Sequence, residues 1–556
     1  MWKKYFPASE WLPNYTFKLF SHDTASGITL AAYAIPVSLA YAMLAGLPPQ
    51  YGIYGYLLGG LFYALLGTGR QLAIGPTAAI SLIIGTSIAS LAHGDVQRWA
   101  DIASLTALIF AVMSILAYIL RLNSVINFIS ETVLLGFKAG AAIAIGATQL
   151  PKLFGLPGGG ANFSEQVKTL IYQMPDMNSG VFIFGVLAVL VLITGEKLLP
   201  GKPVAIIVVI VSIILISATP LGDFGFKTVG IMPAGLPQFH VPSMRGQIVY
   251  DVIPLAFACF LLAYIESVSA AKIMAEKNGY EIDPHQELLA LGVANLATAL
   301  GHGYPVSGGL SQSAVNDGAG AKTPVSLVVA SAVIALCLLF LTGMLQNLPN
   351  VILACIVLVA IRGLVNLKEF NHLRKTNIQE FSIALVALVG VLVFGILNGV
   401  VIAAVMTLLF MLKAVSKPHI AFLGRIPGTK RYTDIQRHPD NENIPGVLLF
   451  RVESPVLFFN TEFIRNMIWP KILASDPTLK TVIWDLSSSP SVDAAGAKLI
   501  RRLYQDLAAK GISFKIAEAY YGVRDTLRTE DLEHLFGHIS RKSSVSELID
   551  EFTKKE

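Results

Sequence analysis

The sequence predicts a polytopic α-helical membrane protein that carries a soluble α/β domain at its C-terminus. Three observations predict it. Hydrophobic residues make up 54% of the 556 residues and charged ones only 14%, where an ordinary soluble domain carries about 25% charged residues. The charge is unevenly placed, with 39 charged residues in 1–415 and 38 in 416–556, so the last stretch alone has soluble composition. Apolar runs also recur along 25–415, several of them long enough for a bilayer core about 30 Å thick, which takes roughly 20 helical residues to cross.

The clear spans are 53–67, 101–120, 181–198, 203–219, 247–270, 325–345, 350–365, 379–396 and 398–415. Less uniform ones are 25–45, 77–93, 125–149, 286–301 and 311–320, which brings the count to about fourteen. Two of these, after Pro76 and Pro305, read as short or interrupted. With both termini in the cytoplasm, inner loops hold eleven Lys and Arg and outer loops five, which supports that orientation. The opening MWKKYFPASEW has no apolar core or cleavage site of a signal peptide and reads as a cytoplasmic tail, residues 1–24.

Residues 416–445, rich in Pro, Gly and charge, read as a linker. From 446 to 556, runs such as GVLLFRV, VLFF, TVIWDL and ISFKIA alternate with helical patterns, as in a small cytoplasmic α/β domain. A net charge of +5 over this length, with no basic-aromatic patch, gives no support to a nucleic-acid partner. The ten histidines show no metal-ligand spacing, and Cys259, Cys337 and Cys355 lie in apolar runs as small hydrophobes. No nucleophile–base pairing or phosphate-cradling loop indicates an enzyme or a cofactor.

Two stretches stand out from the apolar background: GRQLAIGPTAA (69–79) and YPVSGGLSQSAVNDG (304–318). Each mixes Gly, Pro and hydroxyl residues and continues as a helix, one in each half of the membrane region. Paired interruptions of this kind point to a transporter of inverted repeats. Non-helical backbone at membrane depth has to be buried in protein or line a wet cavity. Helices that begin there aim free N–H groups and a positive dipole end at the cavity. Thr77 lies near the first such start, and Ser311, Gln312 and Ser313 near the second.

Glu266, inside LLAYIESVSA, is a carboxylate in an apolar span and therefore either a functional group or the partner of a nearby cation. In the functional reading it couples proton to anion. Lys138, inside LLGFKAGAAI, is open to three readings: charge for the anion site, a counter-ion for Glu266, or a same-helix contact with Glu131.

These stretches, with AIPVSLAYAMLAGLPPQYGIYG (34–55), GYEIDPHQELLALGVANL (279–296) and HIAFLGRIPGTKRYTDIQRHP (419–439), closely resemble the SulP anion transporters, relatives of the SLC26 proteins. The C-terminal domain resembles a STAS domain. The resemblance implies fourteen helices in a 7+7 inverted repeat, a mobile core and a gate domain, and a homodimer. It implies a substrate site of Tyr41, Thr77, Ala78, Gly309, Leu310, Ser311 and Gln312, with Glu266 at the family's acidic position. Three positions depart from the family pattern. Gln312 stands where Arg is usual, and Lys138 is a candidate to compensate. Val37 stands where Gln often follows the proline, and Ala494 follows Asp493 where a phosphorylatable Ser would sit.

The leading expectation is proton-coupled uptake of a small oxyanion, sulfate first, with protons rather than sodium as the coupling ion. Hydrogencarbonate or a dicarboxylate such as fumarate, or passive anion exchange, is the alternative within the class. A nucleobase permease shares the fold without the STAS domain. A membrane-anchored STAS sensor is the reading from another class, and interrupted helices are superfluous for an anchor.

Overall fold

The computed structural model describes residues 6–92, 96–122, 131–160, 162–198, 203–219, 225–244, 246–395, part of 399–416, 417–474, 478–536 and 543–555. The chain forms two compact units, Met1–Thr407 and Leu408–Glu556.

The first unit is helical. Among its helices are α1 (Phe17–Leu44), α2 (Gln50–Leu66), α3 (Ala78–Ala92), α4 (Val96–Ile119), α5 (Glu131–Leu153), α6 (Ser179–Leu198), α7 (Val204–Ala218), α8 (Gly246–Asn278), α9 (Pro284–Leu300), α10 (Leu310–Gly318), α11 (Val325–Phe340), α12 (Asn350–Ile361) and α13 (Ile378–Phe394). Among the described residues six helices are long and apolar enough to cross a membrane, and four more are apolar but shorter. The span expected at 398–415 falls largely outside the described residues.

Helix starts follow their caps. Thr16 accepts a hydrogen bond from Leu19 N at the start of α1. Asp283 accepts from His285 N and Gln286 N, with Pro284 at the first position of α9, where a missing N–H costs nothing. α9 packs on α4 and α2, α11 on α1 and α2, and α8 on α4. Helix α5 packs on α13 and α12, and α12 on α6. Gly136 permits the α5–α13 approach, since a Cβ there would sit 2.0 Å from Ala384 O. All three cysteines are free and buried, as their apolar settings predict.

The second unit holds a five-stranded sheet in the order β4-β3-β5-β6-β7, whose strands are β3 (Ile420–Arg425), β4 (Tyr432–Asp434), β5 (Val447–Val452), β6 (Thr481–Asp485) and β7 (Ser513–Ala517). The pairs β5–β6 and β6–β7 are parallel, while β3 runs antiparallel to β4 and β5. Two expectations differ here. Residues 416–445, read as a linker, contribute β3 and β4 to the sheet. VLFF, read as a strand, is a turn that joins no sheet ladder and carries a single Val456–Val492 bridge, because Asn460 Oδ1 accepts from Leu457 N and curls the chain. The core is Phe450, Trp484, Ile464, Ile468, Ile500 and Leu503, each fully buried or nearly so. Arg451 and Asp485, in register on adjacent strands, form an ion pair of 2.6 Å. Asp493 caps the helix Ala494–Ala508 by accepting from Gly496 N at 2.8 Å.

Candidate anion site

Two interrupted stretches meet across the first unit. Residues Ile74–Gly75 (β1) and Ser307–Gly308 (β2) pair as a two-residue antiparallel ribbon. Each strand leads directly into a helix start, β1 into α3 and β2 into α10. No side chain larger than Gly fits at position 75, where a Cβ would lie 2.1 Å from the Tyr56 ring.

The ribbon's open edge is satisfied by side chains, as buried backbone requires. Asn295 in α9 acts as a third strand, its Oδ1 accepting from Val306 N at 2.9 Å and its Nδ2 donating to Val306 O at 3.1 Å. Ser267 Oγ in α8 accepts from Gly308 N at 2.7 Å. The halves are also cross-tied: Ser313 Oγ accepts from Ala73 N at 3.0 Å, and Asn316 Nδ2 donates to Gln71 O at 3.1 Å.

Both helix starts open onto one cavity of about 180 Å³. The first helical bond of α3 runs from Ser81 N to Thr77 O and that of α10 from Ser313 N to Gly309 O. The amides of 78–80 and 310–312 precede those bonds and have no partner within their helices. Gly309 supplies no side-chain cap. Two bundles of free N–H donors, each at the positive end of a helix dipole, therefore face a shared space, an arrangement that favours an anion.

The structure brings together every site residue expected from the sequence. Tyr41, Thr77, Ala78, Lys138, Glu266, Gly309, Leu310, Ser311 and Gln312 all line this cavity. Tyr33, Val37 and Tyr41 fall four residues apart on one stripe of α1, and Glu266, Ser269, Ala270 and Ile273 form one face of α8. Ala360, Gly363 and Leu364 close the far wall. Glu266 Oε2 accepts from Thr77 Oγ1 at 3.4 Å and from Ser307 Oγ at 3.3 Å, and the two hydroxyls are 3.2 Å apart. Lys138 acts electrostatically on Glu266, yet it forms no ion pair within 4 Å among the described residues. The alternative contact with Glu131 involves a side chain outside the described ones.

Sequence reasoning missed Tyr33, Ser267, Ser269, Asn295 and Ser307. Tyr33 was findable from its helical spacing to Val37 and Tyr41, and Ser307 lies inside the second Gly-rich stretch. Asn295 carries no local signal. A larger groove of about 540 Å³, lined by α6 and α7 residues such as Ile183, Leu187 and Val211, is apolar throughout and holds nothing that would bind an anion. Ser212, its one hydroxyl, donates to Val209 O.

Known proteins resemble this chain along nearly its whole length. Residues 20–387 match the sulfate permease family and residues 438–546 the STAS domain. The chain is 32% identical over 553 residues to the chloroplastic sulfate transporter 4.1 of Arabidopsis thaliana, covering 96% of this chain and 80% of that one. It is 30% identical over 522 residues to a probable sulfate transporter of Mycobacterium tuberculosis (strain ATCC 25618 / H37Rv), covering 92% and 93%. In fold it matches murine Solute Carrier 26 family member A9, an anion transporter in the inward-facing state, with a TM-score of 0.91 at 22% identity over 100% of this chain and 94% of that one. The transmembrane domain of a cyanobacterium bicarbonate transporter, BicA, matches with a TM-score of 0.62 at 21% identity, over 71% of this chain and 98% of that one. A transporter-type cavity between two helix starts, a separate C-terminal sheet domain and a match along nearly the whole chain lead to one conclusion: the protein belongs to the sulfate permease (SulP/SLC26) family of membrane anion transporters, with a C-terminal STAS domain.

Proposed function

We propose that this transporter carries out secondary active uptake of a small oxyanion, sulfate first, coupled to protons through Glu266. The observation that carries the reading is the position of Glu266, whose carboxylate sits in the anion cavity against Thr77 and Ser307. An ionised carboxylate and an anion about 5 Å apart repel by about 3 kcal/mol at an effective dielectric near 20. A proton on Glu266 removes that repulsion. Anion and proton then favour each other's binding, which is the thermodynamic requirement for symport. The relatives named as a sulfate transporter and a probable sulfate transporter support the first choice of cargo.

Hydrogencarbonate or a dicarboxylate is the second reading, favoured by Gln312, which gives the site no fixed guanidinium. The family architecture supports fourteen membrane helices in a 7+7 inverted repeat, divided into a mobile core and a gate domain and assembled as a homodimer. The antiparallel pairing of β1 with β2 is what opposed repeats would produce. The STAS domain serves folding, dimerisation or partner binding, since Ala494 offers no hydroxyl to phosphorylate.

Labelled sulfate uptake by proteoliposomes under an inward proton gradient tests the reading. Absence of flux for sulfate, hydrogencarbonate and fumarate alike would overturn it. A second measurement addresses Lys138. If it supplies the charge missing at 312, Lys138→Ala weakens anion affinity at least about tenfold, ~1.4 kcal/mol, and adding Gln312→Arg partly restores it. Unchanged affinity in the single variant would leave Lys138 with no part in binding.

A further inference from the structure

Between α12 and α13 lies a separate helix, Leu367–Thr376, with the sequence LKEFNHLRKT. An asparagine restarts the chain at each end of it. Asn366 Oδ1 accepts from Glu369 N at 3.1 Å. Asn377 is extended, and its Oδ1 accepts from Gln379 N and Glu380 N at the start of α13. Ten helical residues span about 15 Å, half of what a bilayer crossing takes. Of the ten, only Leu373 is buried. Both neighbouring helices are apolar, so a charged amphipathic segment between them belongs at the membrane surface.

The charges of this helix are sorted. At about 100° per residue, Arg374, Leu367, Asn371, Lys375 and Lys368 follow one another within about 120° of its circumference, and Glu369 lies nearly opposite. Lys368, Arg374 and Lys375 are exposed and form no ion pair within 4 Å among the described residues. Other cations near helix ends do: Lys277 meets Asp317 at 2.6 Å and Arg362 meets Glu196 at 3.8 Å. Leu367, on the cationic face, is 74% exposed, and Ile378 at the start of α13 is 63% exposed. Water alone leaves both the cations and the apolar side chains without partners. A bilayer surface serves both, with phosphates for the cations and the acyl boundary for Leu367.

We propose that Leu367–Thr376 is a docking surface for anionic phospholipid headgroups of the cytoplasmic leaflet, held by Lys368, Arg374 and Lys375. In the orientation that the distribution of Lys and Arg supports, this helix faces the cytoplasm, where the leaflet carries a negative surface potential. An acidic protein segment would satisfy the cations, but Leu367 and Ile378 beside them favour lipid. Leu364, which closes the far wall of the anion cavity, stands just before this helix, so the docked lipid adjoins that wall.

Two lipids with the same acyl chains and different headgroup charge test this. Purified full-length protein in a neutral detergent is titrated with dioctanoyl phosphatidylglycerol or dioctanoyl phosphatidylcholine while thermal stability is followed, since a ligand of the native state raises the melting temperature by mass action. Phosphatidylglycerol is expected to bind about ten- to a hundredfold more tightly, at about fivefold per cation. The triple variant Lys368→Gln, Arg374→Gln, Lys375→Gln should bring that ratio close to one. The charge-keeping exchange Lys368→Arg, Arg374→Lys, Lys375→Arg should preserve it. So should Lys498→Gln, Arg502→Gln, Lys510→Gln, which removes three exposed charges from the second unit. Equal affinity for the two lipids in the unmodified protein overturns the inference, as does a preference that survives the first triple variant. A preference lost equally in the second-unit variant also overturns it, because net charge rather than this helix would then be read. None of these readings needs transport, so they stand apart from coupling through Glu266.

Discussion

In proteoliposomes held at zero membrane potential with an inward proton gradient, Glu266→Gln is expected to lose concentrative anion uptake while anion exchange continues. A pH difference of one unit is worth ~1.4 kcal/mol per proton, or about a tenfold accumulation at one proton per anion. The unmodified protein should reach that ratio, and the variant should stop at equal concentrations inside and out. Glutamine keeps the size of the side chain and can still meet the hydroxyls of Thr77 and Ser307, which lie 3.4 and 3.3 Å from the carboxylate. What it removes is the ability to carry a charge at one moment and none at the next. Exchange needs only the neutral state, which Gln mimics permanently. Measured accumulation ratios decide the matter, and a variant that still concentrates its anion would show that protons couple elsewhere.

The second large effect is expected away from the cavity wall. Asn295→Ala strips both hydrogen bonds from Val306, at 2.9 and 3.1 Å, in a fully buried setting. Each buried backbone group left unpaired costs about 1–3 kcal/mol, so a loss of roughly 3 kcal/mol is expected, read as a lower melting temperature in detergent. Flux should fall further than stability alone accounts for, because Val306 precedes the ribbon residue Ser307 that touches Glu266. Asn295→Asp makes the distinction sharper. It preserves the acceptor for Val306 N but sets a carboxylate oxygen against Val306 O, so it should be no better than alanine. Full flux in either variant would mean the ribbon is held by β1 and Ser267 alone.

The membrane spans were legible because a long run of apolar residues has few places to escape water except a bilayer or a deep core. The site was legible for the opposite reason: Gly69–Ala79 and Tyr304–Gly318 are polar and flexible where the surroundings are not. Residues that resemble ordinary helix were invisible. Asn295 and Ser267 act on the ribbon from α9 and α8, through contacts set by packing rather than by spacing. The β1–β2 pairing itself could not be read, since two-residue strands have no periodicity. In the STAS domain the alternation of strand and helix was clear over β5, β6 and β7. Strands β3 and β4 were hidden by the Gly, Pro and charge around them, and β3 finds its main partner, β5, only later in the sequence. Conversely VLFF looked like a strand on β propensity, and the Asn460 side chain turned it into a bend.

The cross-ties between the two interrupted stretches also bear on how the protein is made. Ala73 N finds its acceptor on Ser313, 240 residues later in the chain. At roughly 5–20 residues per second of synthesis, the first stretch waits about 12–48 s before that partner exists. Throughout this interval a glycine-rich polar segment is already between nascent helices, with the Ala73 amide still without that acceptor. Insertion of the N-terminal half should therefore depend on something that shelters it, such as the insertion machinery or retained water. Ribosome pausing placed between the two halves would lengthen the exposure and raise the fraction of chains lost to quality control.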